Sequence, residues 1–167
     1  MEHKGKVTKQ IFIGFVSIVF LVLSLWFIFP SPDSPDRITY TLTWSALFAL
    51  PLFFGIHITL FTRFASEDLI LGYASSKQLT FNKAYLSNTV EQTIINVLSA
   101  LTLGMVAPIV FIKLVPIQAC IFSVGRLIYY FTYKSKPTNR FVGFVIGYYI
   151  AVLSVATSVY WVITGNV

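Results

Sequence analysis

Apolar residues gather in long runs separated by short polar punctuation. A helix needs about 20 apolar residues to cross the hydrocarbon core of a bilayer, and five runs approach that length: Gln10–Phe29, Ile38–Thr62, Lys83–Val106, Ile109–Thr132 and Asn139–Ile163. The separators FPSPDSPD, GMVAP and YKSKPT are short and carry turn chemistry. The separator between the second and third runs, RFASEDLILGYASSKQLTFN, is longer and more polar. The pattern predicts an all-α integral membrane protein of five helices, joined mostly by short loops.

Composition agrees with that pattern. The 167 residues are 56% hydrophobic and only 11% charged, against roughly a quarter charged in a soluble domain. The net charge of +6 sits in short clusters between the runs, so it carries topology information before anything else. Lys4, Lys6 and Lys9, then Arg63, Lys77 and Lys83, then Lys134, Lys136 and Arg140 all fall on one side of a five-helix path. Arg37 alone lies in an opposite-side loop, and Lys113 can snorkel towards that side. The N-terminus is therefore expected in the cytoplasm. The first run could be a signal peptide, but it exceeds the usual apolar length and lacks a convincing cleavage site, so it is read as an uncleaved helix.

Several function classes drop out. No basic groove-facing surface for nucleic acid is legible. The single cysteine, Cys120, allows neither an intrachain disulfide nor a thiolate cluster, and His3 and His57 lack metal-ligand spacing. His57 reads as a hydrogen-bonded histidine within a span. No repeated pair of broken helices suggests a transporter.

Candidate chemistry must come from polar side chains at membrane depth. On the third helix Asn88 and Glu91 are three apart, and Gln92, Ile95, Asn96 and Ser99 extend a polar stripe from them. An ionised Glu91 facing lipid costs several kcal/mol, so the expectation is that it faces other helices, a cation or a cavity. The fourth helix ends GRLIYYFTY, placing Arg126, Tyr129 and Tyr133 over its last turns, and Arg126 is the expected partner of Glu91. Pro137, Thr138 and Asn139 look like the start of the fifth helix, with Arg140 in its first turn. A cation is disfavoured there unless an anion sits nearby, so Arg63, Lys83, Lys136 and Arg140 make a candidate rim for an anionic group. Gly143 and Gly147 form a GxxxG, continued by Ala151, Ser154 and Ser158, which marks the last helix as a packing helix.

This ordered set resembles the MAPEG family, the membrane-associated proteins of eicosanoid and glutathione metabolism. Its members have a four-helix subunit in which the second helix opens with Asn-x-x-Glu, here Asn88 and Glu91. The third ends in Arg-x-x-Tyr-x-x-x-Tyr, here Arg126, Tyr129 and Tyr133, and an arginine opens the fourth, here Arg140. An arginine ending the family's first helix corresponds to Arg63. The resemblance covers about residues 38–163. It implies a MAPEG-like four-helix domain over residues 38–167, preceded by an N-terminal unit, residues 1–37, with one additional transmembrane helix. It also implies a homotrimer with glutathione held between subunits by Arg63, Asn88, Glu91, Arg126, Tyr129 and Tyr133, and Arg140 as the catalytic residue that stabilises the thiolate. Enzymes of the family carry an arginine four residues before the motif asparagine, where this chain has Ala84; one branch has a serine just after the last arginine, where this chain has Phe141.

Two readings follow. One is a glutathione-dependent transferase or peroxidase acting on lipophilic electrophiles from the bilayer. The other is a non-catalytic member that binds lipid or a protein partner, with Phe141 and Phe144 filling the space beside Arg140.

Overall fold

The computed structural model describes residues 2–29, 36–135 and 140–165. Among these residues there is no strand, and five stretches are long and apolar enough to cross a membrane: Gly5–Ile28, Arg37–Arg63, Lys77–Val106, Ile109–Ser135 and Phe141–Thr164. The chain is an integral, multi-pass membrane protein. Helix α1 (Glu2–Ile28) forms the first span; α2 (Arg37–Ser45) and α3 (Leu50–Arg63) share the second; α5 (Lys77–Val106), α6 (Leu114–Ser135) and α7 (Phe141–Thr164) supply the rest.

Local chemistry explains the breaks. Pro51, in the first turn of α3, has no N–H to donate and crowds the carbonyl four residues back, so a 3-10 turn, Ala46–Ala49, interrupts the second span. Ala107 is extended because the residue before a proline, here Pro108, is pushed out of the helical region. The long polar separator is only partly a loop. It holds a short helix, α4 (Glu67–Leu71), which Ser66 opens by accepting from the Leu69 N–H and Gly72 closes in the left-handed region at φ 83°. Helix α5 then begins at Lys77, six residues before its apolar run. Ser76 caps it, accepting from the Leu79 N–H at 3.0 Å.

Packing follows small residues rather than bulk hydrophobicity, since lipid is as apolar as a leucine. The most extensive contact is α6 against α7, where Gly143 lies on the backbone of Tyr129 and Gly125 on Ile146 and Gly147. The GxxxG therefore works within the subunit. Gly104 admits Thr41 of α2 in the same way. Helix α1 lies outside this bundle, with Gly14 against Val145 and Ile18 buried among Ile117, Ile121, Ile146 and Ile150.

The two cations that break the charge asymmetry have local roles. Arg37 donates to the carbonyls of Gly104, Met105 and Ala107, at 3.4, 3.1 and 2.6 Å, at the end of α5. Lys113 does not snorkel out: it is 8% exposed, donates to the carbonyl of Trp26 at 3.2 Å and sits 3.9 Å above that indole ring. Each cation answers the partial negative charge and unpaired carbonyls at a helix C-terminus. Replacing Arg37 by Gln should lower stability by about 1 kcal/mol, measurable by thermal unfolding in detergent; no change would mean that water serves those carbonyls as well. Asp36, just outside the span, caps α2; hydrogen bonds from the Thr39 hydroxyl and the Ile38 N–H hold its carboxyl below the usual carboxylate range.

Candidate functional site

At the end of the bundle where α1 and α5 begin and α6 ends, rings collect because α5 and α6 present them on facing stripes. Tyr85 and Tyr129 stack at 6.1 Å, and Tyr130 meets Tyr85 at 5.1 Å and Phe54 of α3 at 5.1 Å, both edge-on. Into this cluster α6 sends Arg126, whose side chain is completely buried. One terminal nitrogen of its guanidinium donates to Asn88 Oδ1 at 3.0 Å and the other to Thr89 Oγ1 at 2.8 Å. The group also lies 4.3 Å from the centre of the Tyr129 ring and 5.4 Å from that of Tyr85. A buried cation without a carboxylate is thus held by two neutral acceptors and two aromatic faces. Thr89 is locked in turn, since its hydroxyl donates to the Tyr85 carbonyl at 2.7 Å.

The expected Arg126–Glu91 pair does not form. Glu91 lies on the exposed face of α5, while the buried arc of that helix runs through Tyr85, Thr89, Gln92, Asn96, Ser99 and Leu103. At about 100° per residue, Asn88 stands about 60° from the middle of that arc and Glu91 about 120°. The polar stripe therefore divides: Gln92, Asn96 and Ser99 turn inward, Asn88 borders the buried face, and Glu91 and Ile95 face outward.

Beside this cluster opens a cavity of about 290 Å³ lined by Asn88, Tyr129, Arg140, Phe141 and Phe144. Phe141 and Phe144 form its walls and do not fill it, contrary to the steric expectation. Arg140 immediately precedes α7, and its guanidinium carbon lies 5.1 Å from the Tyr133 ring centre and 5.8 Å from that of Phe141. Tyr133 is braced by Phe81 at 4.9 Å and Tyr129 at 5.5 Å. With one lone pair of Asn88 Oδ1 taken by Arg126, Asn88 keeps its amide donors and a second lone pair for a ligand. The cavity thus combines a guanidinium, an amide and a phenol with aromatic walls, a set suited to an anionic or polarisable group beside an apolar one.

Arg63 is not brought to this cavity. It ends α3 and lines a second one, of about 370 Å³, with Lys83 and the residues around α4. Ala84 faces a shallow groove with Lys77, Phe81 and Tyr133. Lys136 and the expected helix start at Pro137, Thr138 and Asn139 lie outside the described residues.

Deeper in the bundle runs a hydrogen-bond network only half legible in the sequence. Asn96 donates to the Gly147 carbonyl at 2.9 Å, Gln118 donates to Ser99 Oγ at 2.7 Å, and Ser154 donates to Gln118 Oε1 at 2.8 Å. It ties α5, α6 and α7 where water cannot substitute. Gln118 and Thr89 escaped sequence reasoning; their only signal is a polar residue on the small, buried side of an apolar run. His57 bonds back to its own helix, Nδ1–H donating to the Phe53 carbonyl at 2.7 Å.

A multi-pass helical bundle with a buried arginine and an arginine-topped aromatic cavity at one end defines a membrane protein with an intramembrane polar site. The model of the MAPEG family matches residues 41–160, and the chain belongs to that family. The match begins after α1. Neither a curated protein nor a solved structure matches the chain.

Proposed function

We propose that this chain is a glutathione-dependent transferase or peroxidase acting on lipophilic electrophiles that arrive through the bilayer. The observation that carries this reading is the cavity in which Arg140, Asn88 and Tyr129 face aromatic walls. The residues fit the group: a guanidinium favours a thiolate over a thiol, and the amide and phenol can hold peptide polar atoms. Bound glutathione would supply a sulfur nucleophile. The chain's own contribution is to keep Arg140 fixed over Tyr133, ready to stabilise that anion, and to let Phe141 and Phe144 hold the electrophile out of water. Arg126 acts behind the site, fixing Asn88 and Tyr129 in place.

A homotrimer is part of the proposal. Two features support it: a carboxylate, Glu91, exposed at membrane depth, which lipid cannot solvate, and a cavity at the lower limit of ligand-binding volumes. A second subunit packed over Glu91 and against the open side of the cavity would answer both. The basic end is assigned to the cytoplasm by its charge.

A non-catalytic role is the second reading. It is favoured by one observation, the complete burial of Arg126, whose terminal nitrogens donate to Asn88 and Thr89 inside the subunit. Titration calorimetry with glutathione separates the two. Millimolar or tighter binding, with turnover of a chlorinated aromatic or a lipid hydroperoxide, is expected. Arg140→Ala should cut that turnover at least tenfold while leaving the melting temperature unchanged. No heat of binding at millimolar glutathione would leave the non-catalytic reading.

A further inference from the structure

The cavity around Arg63 and Lys83 has its own chemistry. It measures about 370 Å³ and is lined by those two cations, by Ile70, Leu71 and Tyr73 and by Ser75, among others. Its position fixes its depth in the bilayer: Arg63 closes the second span and Lys77 opens the third, so the segment between them lies at the membrane–water boundary. The apolar side chains of that segment are not packed onto the bundle. Phe64 is 67% exposed, Ile70 51%, Leu71 55% and Tyr73 82%. In water such exposure is unfavourable; at a bilayer boundary these groups sit among acyl chains and headgroups, as interfacial aromatics do. The acidic residues of α4, Glu67 and Asp68, are exposed in its first turn and do not line the cavity.

We infer that this cavity is a binding site for a phosphate group, and specifically for the phosphodiester headgroup of an anionic phospholipid, held by Arg63 and Lys83 with its acyl chains along Ile70, Leu71 and Tyr73. Two cations facing one small cavity suit a phosphate, and the adjoining apolar side chains select a phosphate that carries a lipid tail. The site is distinct from the Arg140 cavity, and occupation would fix the α3–α5 connection against the membrane surface.

The test uses the purified full chain in detergent, titrated with short-chain phosphatidylglycerol, with phosphatidylcholine of the same chain length, and with glycerol 3-phosphate. Phosphatidylglycerol should bind most tightly. Arg63→Gln and Lys83→Gln should each weaken it about fivefold, the weight of one interfacial cation, and together roughly twentyfold. Lys134→Gln, an exposed lysine at the same end, should leave it unchanged. If Lys134→Gln weakens binding equally, the attraction is diffuse and there is no site. Equal affinity for glycerol 3-phosphate would overturn the lipid assignment. If the double variant loses glutathione affinity and keeps its lipid affinity, Arg63 serves the tripeptide and the inference is wrong. Both cations are exposed, so matching melting curves check that the variants fold.

Discussion

Gly143→Ala should be the most damaging small substitution in the bundle, costing about 3 kcal/mol or more. A Cβ at this position would lie 2.6 Å from Tyr129 Cα and 2.7 Å from the Gly125 carbonyl oxygen, and would press on the Tyr129 nitrogen. All three are backbone atoms of α6, so no rotamer change relieves the clash and the two helices must part. Parting them moves Tyr129 and Arg126 together, so activity and stability should fall in step. Gly147→Ala is the informative neighbour. Its Cβ would meet the end of a flexible side chain, Gln92 Oε1, at 2.8 Å, with Arg126 Cδ at 3.5 Å, and the expected cost is about 1 kcal/mol. Melting temperatures in detergent decide the matter; equal losses at both glycines would show that the α6–α7 contact is not backbone-limited. Gly5→Ala, with open space around it, is the neutral control.

The second large effect is expected at Arg126. Arg126→Ala removes two charge-assisted hydrogen bonds, empties a fully buried volume and leaves Asn88 and Thr89 with unmet acceptors, for a loss of about 3 kcal/mol. Glu91→Gln should change the stability of the subunit by no more than about 0.5 kcal/mol. A charge swap, Arg126→Glu with Glu91→Arg, should be no better than Arg126→Glu alone. Recovery in the double variant would mean that the two side chains do meet, against the geometry described.

The five spans were readable because each is long and apolar, and their ends fell near proline, glycine or charge. The start of α5 was not, because four of its first six residues are polar and interrupt the apolar run; the cap at Ser76 was the available sign, and a hydropathy pattern does not weigh caps. Among the site residues, Asn88, Tyr129 and Arg140 line one cavity in the structure. Glu91 was paired with Arg126 because both lie at a similar depth from the same membrane face, and depth does not fix which side of α5 a residue occupies. Three residues along a helix share a side but stand about 60° apart, and the buried arc fell on the far side of Asn88 from Glu91. Arg63 was drawn to the site by resemblance, whereas α4 and the end of α3 give it a separate cavity with Lys83. Gln118 stayed hidden because one amide in an apolar run leaves no period to detect.

The placement of Arg37 and Lys113 bears on how such a chain enters its membrane. During insertion the helix ends they later serve do not yet exist, and both residues count as free positive charge on the poorer side, weakening the orientation preference set by the opposite end. After folding, each is absorbed by a peptide dipole. Neutralising both would therefore sharpen topogenesis while loosening the finished bundle, so biogenesis and stability select on these two positions in opposite directions.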